Sequence, residues 1–295
     1  MTISLSPAIE APRRELASAR AGTLSYYLDT SGSGRPLVLV HSINAAPSAM
    51  EVKPFFEHYR GKRPVYALEL PGFGFSERGD RDYTAALYTA AIVDFLDSLP
   101  EGPVDIVALS LSSEFAARTA GERKDRVASL VLVSPTGFGE RAPPGEAAGR
   151  RILAVLGVPG LGAGLFRTLT TRPVIRRFLR MSFHGRVPAA LVDYAWRTAR
   201  QPGARFAPFR FLGFGLFARD AVEELYRPVE QPALVLYDRD PNVSFERLAA
   251  LVSARRNWRV KRIRPTRGLP HWEKPLETFA AMDAFWSDPV RGAGA

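Results

Sequence analysis

The chain has 295 residues, 46% of them apolar, no cysteine and a formal net charge of +10. That apolar share suits one large α/β domain and excludes wholesale disorder, and the absence of cysteine excludes a disulfide framework and a thiol nucleophile. Thirty-five of the forty basic residues are arginine, and residues 141 to 219 hold fourteen arginines against two acids, Glu146 and Asp193, so the excess charge lies in mid-chain.

Residues 1–22 alternate small, acidic and basic residues without an apolar stretch and read as an N-terminal extension, not a secretory signal. From 23 to 135, short apolar runs alternate with helical patterns. Thr23–Asp29, Leu37–His41, Pro64–Leu70, Val104–Leu109 and Ser129–Ser134 read as strands; Ala46–Tyr59, Thr84–Leu99 and Ser113–Ala120 read as helices. The later strands are unbroken apolar runs, as parallel strands covered on both faces should be. Residues 136–228 are punctuated by glycine and proline and helical where regular, which predicts an inserted helical cap. The core resumes over 229–290, with strands Pro232–Tyr237 and Trp258–Arg264 and helices Phe245–Ala254 and Leu276–Trp286, and 291–295 form a tail. The fold class expected is α/β: a doubly wound, mostly parallel sheet interrupted by a cap. No run of eighteen apolar residues predicts a spanning helix. With no cysteine, a cytoplasmic location is expected.

The strand Val104–Leu109 runs into Ser110 and then a helix, with Ala108 and Ser112 two residues to either side. This is a variant of the G-x-S-x-G nucleophile elbow, where a tight turn needs small flanking residues and presents the serine hydroxyl above the sheet. A serine becomes a nucleophile when an imidazole takes its proton and a carboxylate orients that imidazole. Downstream of Ser110 the histidines are His184, inside the cap, and His271, after the last strand. Asp240 follows the preceding strand, with Asp238 in reserve.

These motifs resemble the α/β-hydrolase fold superfamily over about residues 23 to 287. His41-Ser42-Ile43-Asn44 is similar to the His-Gly oxyanion loop, and Glu69 to Ser76 to the Asp-x-Pro-Gly-x-Gly-x-Ser stretch. The elbow and the Asp240 and His271 segments complete the set. The resemblance implies a serine hydrolase with Ser110 as nucleophile, His271 as base and Asp240 as its carboxylate. The backbone N–H groups of Ile43 and Leu111 would form the oxyanion hole. The implied substrate is a small or lipid-like apolar ester, and the same triad also serves acyl transfer. A serine at the elbow argues against the dehalogenases and epoxide hydrolases of this fold, which use aspartate there. Ala108, Ser112 and Ser42 replace the usual glycines, which leaves a non-catalytic ligand-binding protein open.

Other residues have plainer roles. Ser112 and Ser113 suit capping of the helix that follows, and His41 suits orienting its own loop. His58 falls at a helix end. Asn44 is either a loop amide or a substrate contact. Five phenylalanines crowd residues 206–217; Phe209 and Phe214 are candidates for an acyl pocket, and the cluster equally serves as a lid's buried underside. The glycine pairs at 72/74 and 137/139 lack the context of dinucleotide loops. No cofactor and no metal are expected. Nucleic acid is not expected as a partner, since no recognition motif accompanies the arginines. The basic cap suits peripheral contact with an anionic membrane.

Overall fold

The structure, a computed structural model, describes residues 3–288, with the backbone alone at residue 146. Residues 1–2 of the expected extension, the last two residues of the second core part and the tail 291–295 lie outside the described residues. Eight strands form one sheet: β1 (Arg13–Ser18), β2 (Gly22–Asp29), β3 (Leu37–Val40), β4 (Val65–Glu69), β5 (Val104–Leu109), β6 (Val127–Val133), β7 (Ala233–Tyr237) and β8 (Trp258–Arg262). Their order is β1-β2-β4-β3-β5-β6-β7-β8, with β1 and β2 antiparallel to their neighbours and the rest parallel.

Successive residues of a strand face opposite sides, so an unbroken apolar run feeds two cores at once. In β3, Val38 and Val40 pack under α2 (Ala85–Ser98) and α3 (Ser112–Glu122), while Leu37 and Leu39 pack under α1 (Lys53–Tyr59) and α11 (Pro275–Ser287). The Thr84 side chain accepts from Leu87 N–H and so starts α2. The helix expected from Ala46 starts later, as a 3₁₀ turn over Ala49–Val52 leading into α1, because Asn44 Oδ1 takes Ala46 N–H in a local turn.

Part of the segment assigned to an N-terminal extension belongs to the sheet. β1 pairs with β2 from Arg13↔Tyr27 to Ser18↔Gly22. Its charged, largely exposed pattern is that of an edge strand, which pairs with a neighbour on one side only. Before it, the carbonyls of Ile3 and Ser6 accept hydrogen bonds from Gln201 Nε2 (2.8 Å) and Tyr194 Oη (2.9 Å).

Between β6 and β7 there is no strand among the described residues. α4 (Glu146–Leu156), α5 (Leu161–Leu169), α6 (Arg172–Met181), α7 (Ala189–Thr198) and α8 (Phe206–Leu212) form the cap, followed by a π-helical turn at Val222–Tyr226. α9 (Leu248–Ala254) and the short α10 (Pro270–Glu273) complete the core. Among the described residues no single helix is long and apolar enough to cross a membrane.

Candidate active site

Ser110 sits at the turn between β5 and α3 with φ of +50°, in the left-handed region that non-glycine residues rarely adopt. Its N–H is held by Val133 O at 2.9 Å and its carbonyl by Ser113 N–H at 3.1 Å, so the sheet and the helix together fix the strained turn. Ser112 does not cap α3. Its hydroxyl donates to His41 O at 2.6 Å, which ties the elbow to the loop after β3. Ser113 likewise donates back to Ala108 O at 3.3 Å.

The loop after β3 is built on a buried carboxylate that the sequence reading passed over. Glu51, 5% exposed, accepts Ser42 N–H (2.9 Å) and Asn44 Nδ2 (2.8 Å), and burial raises its pKa against the pull of those donors. Asn44 Nδ2 also reaches Ser42 Oγ at 2.8 Å, so the serine in the glycine position organises the loop. Asn44 lines the cavity, but both ends of its amide are committed to this loop. His41 donates from Nδ1 to Ser42 O (2.7 Å) and accepts Leu70 N–H at Nε2 (3.0 Å). Burial lowers its pKa to about 4, so it is a neutral structural ring. The expected oxyanion donors, Ile43 N–H and Leu111 N–H, make no hydrogen bond among the described residues. The Glu69–Ser76 stretch is also structural. The Glu69 carboxylate, its pKa raised to about 7 by burial, fills the space where a Cβ at Gly74 (φ of +54°) would stand, 1.9 Å away.

Ser110 and Asp240 line one cavity of about 430 Å³ beneath the cap, walled mainly by apolar side chains that include Phe209 and Phe166. Asp240 accepts Asn242 N–H at 2.8 Å, and burial raises its pKa. Asp238 faces elsewhere: Thr266 N–H and Arg262 hold it below the usual carboxylate range despite its burial. Phe209 meets Phe166 edge-on at 6.0 Å. Phe214 does not line the cavity. A left-handed turn (φ of +58°) between two glycines carries it to the other side, against Phe217.

His271 does not join the other two. It is fully buried on α10, stacked on Phe55 with ring centres 4.2 Å apart, and outside the cavity lining. Nε2 donates to Glu51 O at 2.8 Å, alongside Trp272 Nε1 at 2.9 Å, and Nδ1 has no partner. Neither nitrogen therefore bonds Ser110 or Asp240, and burial lowers the pKa to about 3. The expected Ser110–His271–Asp240 convergence is absent because α10 carries the ring into the core, against Phe55 and the Glu51 carbonyl.

Gly268 occupies the cavity wall in its place. A Cβ on it would stand 2.7 Å from Asp240 Oδ2 and 3.6 Å from Ser182 Cβ. An imidazole at position 268 would start beside the Asp240 carboxylate, on the wall of the cavity that Ser110 also lines. His184, with its N–H on Glu273 Oε1, is exposed on the surface of the cap. No cluster able to hold a metal is found among the described residues.

The fold and this partial site define the class of protein: residues 37–282 match the alpha/beta hydrolase family, and the chain belongs to it. Among individual proteins, a stretch of 113 residues is 31% identical to the 1-acylglycerol-3-phosphate O-acyltransferase ABHD5 of Rattus norvegicus, covering 37% of this chain and 32% of that protein. Another of 112 residues is 32% identical to the 2-hydroxymuconate semialdehyde hydrolase of Pseudomonas putida, covering 37% and 40%. The chain thus spans well under half the length of these relatives. A solved serine hydrolase involved in carbazole degradation (CarC) superposes with a TM-score of 0.74 at 19% identity, over 94% of this chain and 98% of that one. Hydrolases and acyltransferases are both among these relatives.

Proposed function

We propose that the chain holds an apolar, carbonyl-bearing ligand in the cavity over Ser110 without the base-assisted turnover of a serine esterase. The observation that carries this reading is the position of His271, whose two nitrogens serve Glu51 O and nothing, while Gly268 faces Asp240. The strained serine and the two open N–H groups suit a ligand carbonyl, and the apolar walls suit an alkyl or acyl chain. A serine hydroxyl with no base is a weak nucleophile, so a bound ester would persist.

A second reading, hydrolysis of a carboxylic ester or acyl transfer through Ser110, His271 and Asp240, is supported by the φ of +50° at Ser110 and by the relatives' names. It requires His271 to leave Glu51 and the Phe55 stack. A chain-length series of p-nitrophenyl esters on wild type and Ser110→Ala separates the two. Equal rates for the pair, together with calorimetric binding of long-chain methyl ketones, support the holding role. A wild-type rate about a thousandfold or more above Ser110→Ala would establish the hydrolase.

A further inference from the structure

We propose that the face of the cap formed by α4, α5 and α6 docks on an anionic phospholipid bilayer, onto which the cavity opens. Among the described residues, eight of the ten exposed large apolar side chains lie between 155 and 212. Val155 (54% exposed), Val158 (48%) and Leu161 (53%) stand at the junction of α4 and α5. α4 packs on α5 and α8, and α5 on α6, so the exposed groups form one surface. An uncovered apolar surface of this extent marks an interaction site.

The charges beside it select the partner. Arg176, Arg177 and Arg180 on α6, with Arg151 and Arg167 nearby, are exposed and make no ion pair among the described residues. Asp193 is already taken by Arg172 and Arg197. A second copy would bring the same cations face to face across a two-fold axis, which disfavours self-association. A surface of anionic headgroups over acyl chains satisfies both the arginines and the apolar groups. α4 and α5 meet at 96° and form no single straight span, and in this packed arrangement the pair would lie in the headgroup boundary.

The same surface is the cavity's mouth. Leu165, Leu169, Phe178, Met181 and Leu212 are exposed and also line the cavity, so an apolar ligand passes from bilayer to cavity without crossing water. This goes beyond the ligand-holding role and is measured without ligand, so either can fail alone.

The test is co-sedimentation of the full chain with phosphatidylcholine vesicles, with and without phosphatidylglycerol, at low and high salt. Binding is expected on anionic vesicles and about tenfold or more weaker on neutral ones or in high salt. Replacing Arg176, Arg177 and Arg180 by glutamine should weaken binding about fivefold per residue. Val155→Ser with Leu161→Ser should weaken it about tenfold with the melting temperature unchanged. No sedimentation of the folded chain, binding unmoved by both sets of substitutions, or light scattering that shows the patch buried in a dimer or against an acidic protein would overturn the proposal.

Discussion

Two loops meet at the cavity, and they have kept different things. The loop after β5 has the backbone features of a nucleophile elbow: the left-handed Ser110, the sheet bond that holds it and an open N–H on Leu111. The loop after β8 retains a histidine but has put it to structural work on Phe55 and Glu51, leaving Gly268 beside Asp240. Backbone strain at the first loop is thus maintained without the proton acceptor that would exploit it. Strain of this kind costs on the order of 1–3 kcal/mol, so its presence favours continued contact of Ser110 with a ligand.

The contrast is broken most forcefully by restoring an imidazole to the second loop. Gly268→His, with Asp240 turning to accept its Nδ1–H, should raise p-nitrophenyl ester turnover by about a hundredfold or more, the ordinary worth of a positioned base. Ser110→Ala in the same background should abolish the gain. The new rate should rise with pH as the imidazole loses its proton. Wild-type fluorophosphonate labelling should be slow and show no inflexion near neutrality, because His271 lies outside the cavity and no imidazole serves Ser110.

Removing the histidine that is present should act on stability instead. His271→Ala deletes a stacked, hydrogen-bonded ring from the core and should lower the unfolding free energy by roughly 2–4 kcal/mol, read by urea denaturation. Labelling of Ser110 per folded molecule should stay within about threefold, whereas a catalytic base would cost far more. The acid response sharpens the same point. The folded pKa of His271 lies below the ordinary value, so the unfolded chain binds more protons and the stabilisation present above the unfolded pKa is lost as pH falls toward 3. Relative to His271→Phe, wild type should lose about 2 kcal/mol between pH 7 and pH 5. The smallest effect separates two phenylalanines: Phe209→Ala should weaken ketone binding about tenfold, and Phe214→Ala should leave it within about twofold.

The sheet was legible because its central strands, β3 to β7, are short and mainly apolar, and each of the seven expected strands is found within two residues of its expected ends. β1 escaped notice because an edge strand with one half-buried face has no apolar pattern to show. At the site, Ser110 and Asp240 reach the same cavity because Ser110 directly follows β5 and Asp240 lies three residues past the end of β7, so both stay close to strand ends. His271 is different. A loop separates β8 from the one-turn helix that carries it, and a three-residue difference, from 268 to 271, moves a side chain from the cavity wall into the core. Residue type and chain order carry no information about that displacement. Glu51 left a fainter sign: an acid between Met50 and Val52, both apolar, asks what neutralises it, and the answer is the loop bearing Ile43.

The bonds from Gln201 and Tyr194 to the backbone of residues 3 and 6 have a practical consequence. They tie the cap to the backbone ahead of β1 through two side chains outside the cavity lining, so Gln201→Ala with Tyr194→Phe would loosen the seat of the cap while leaving the wall around Ser110 intact.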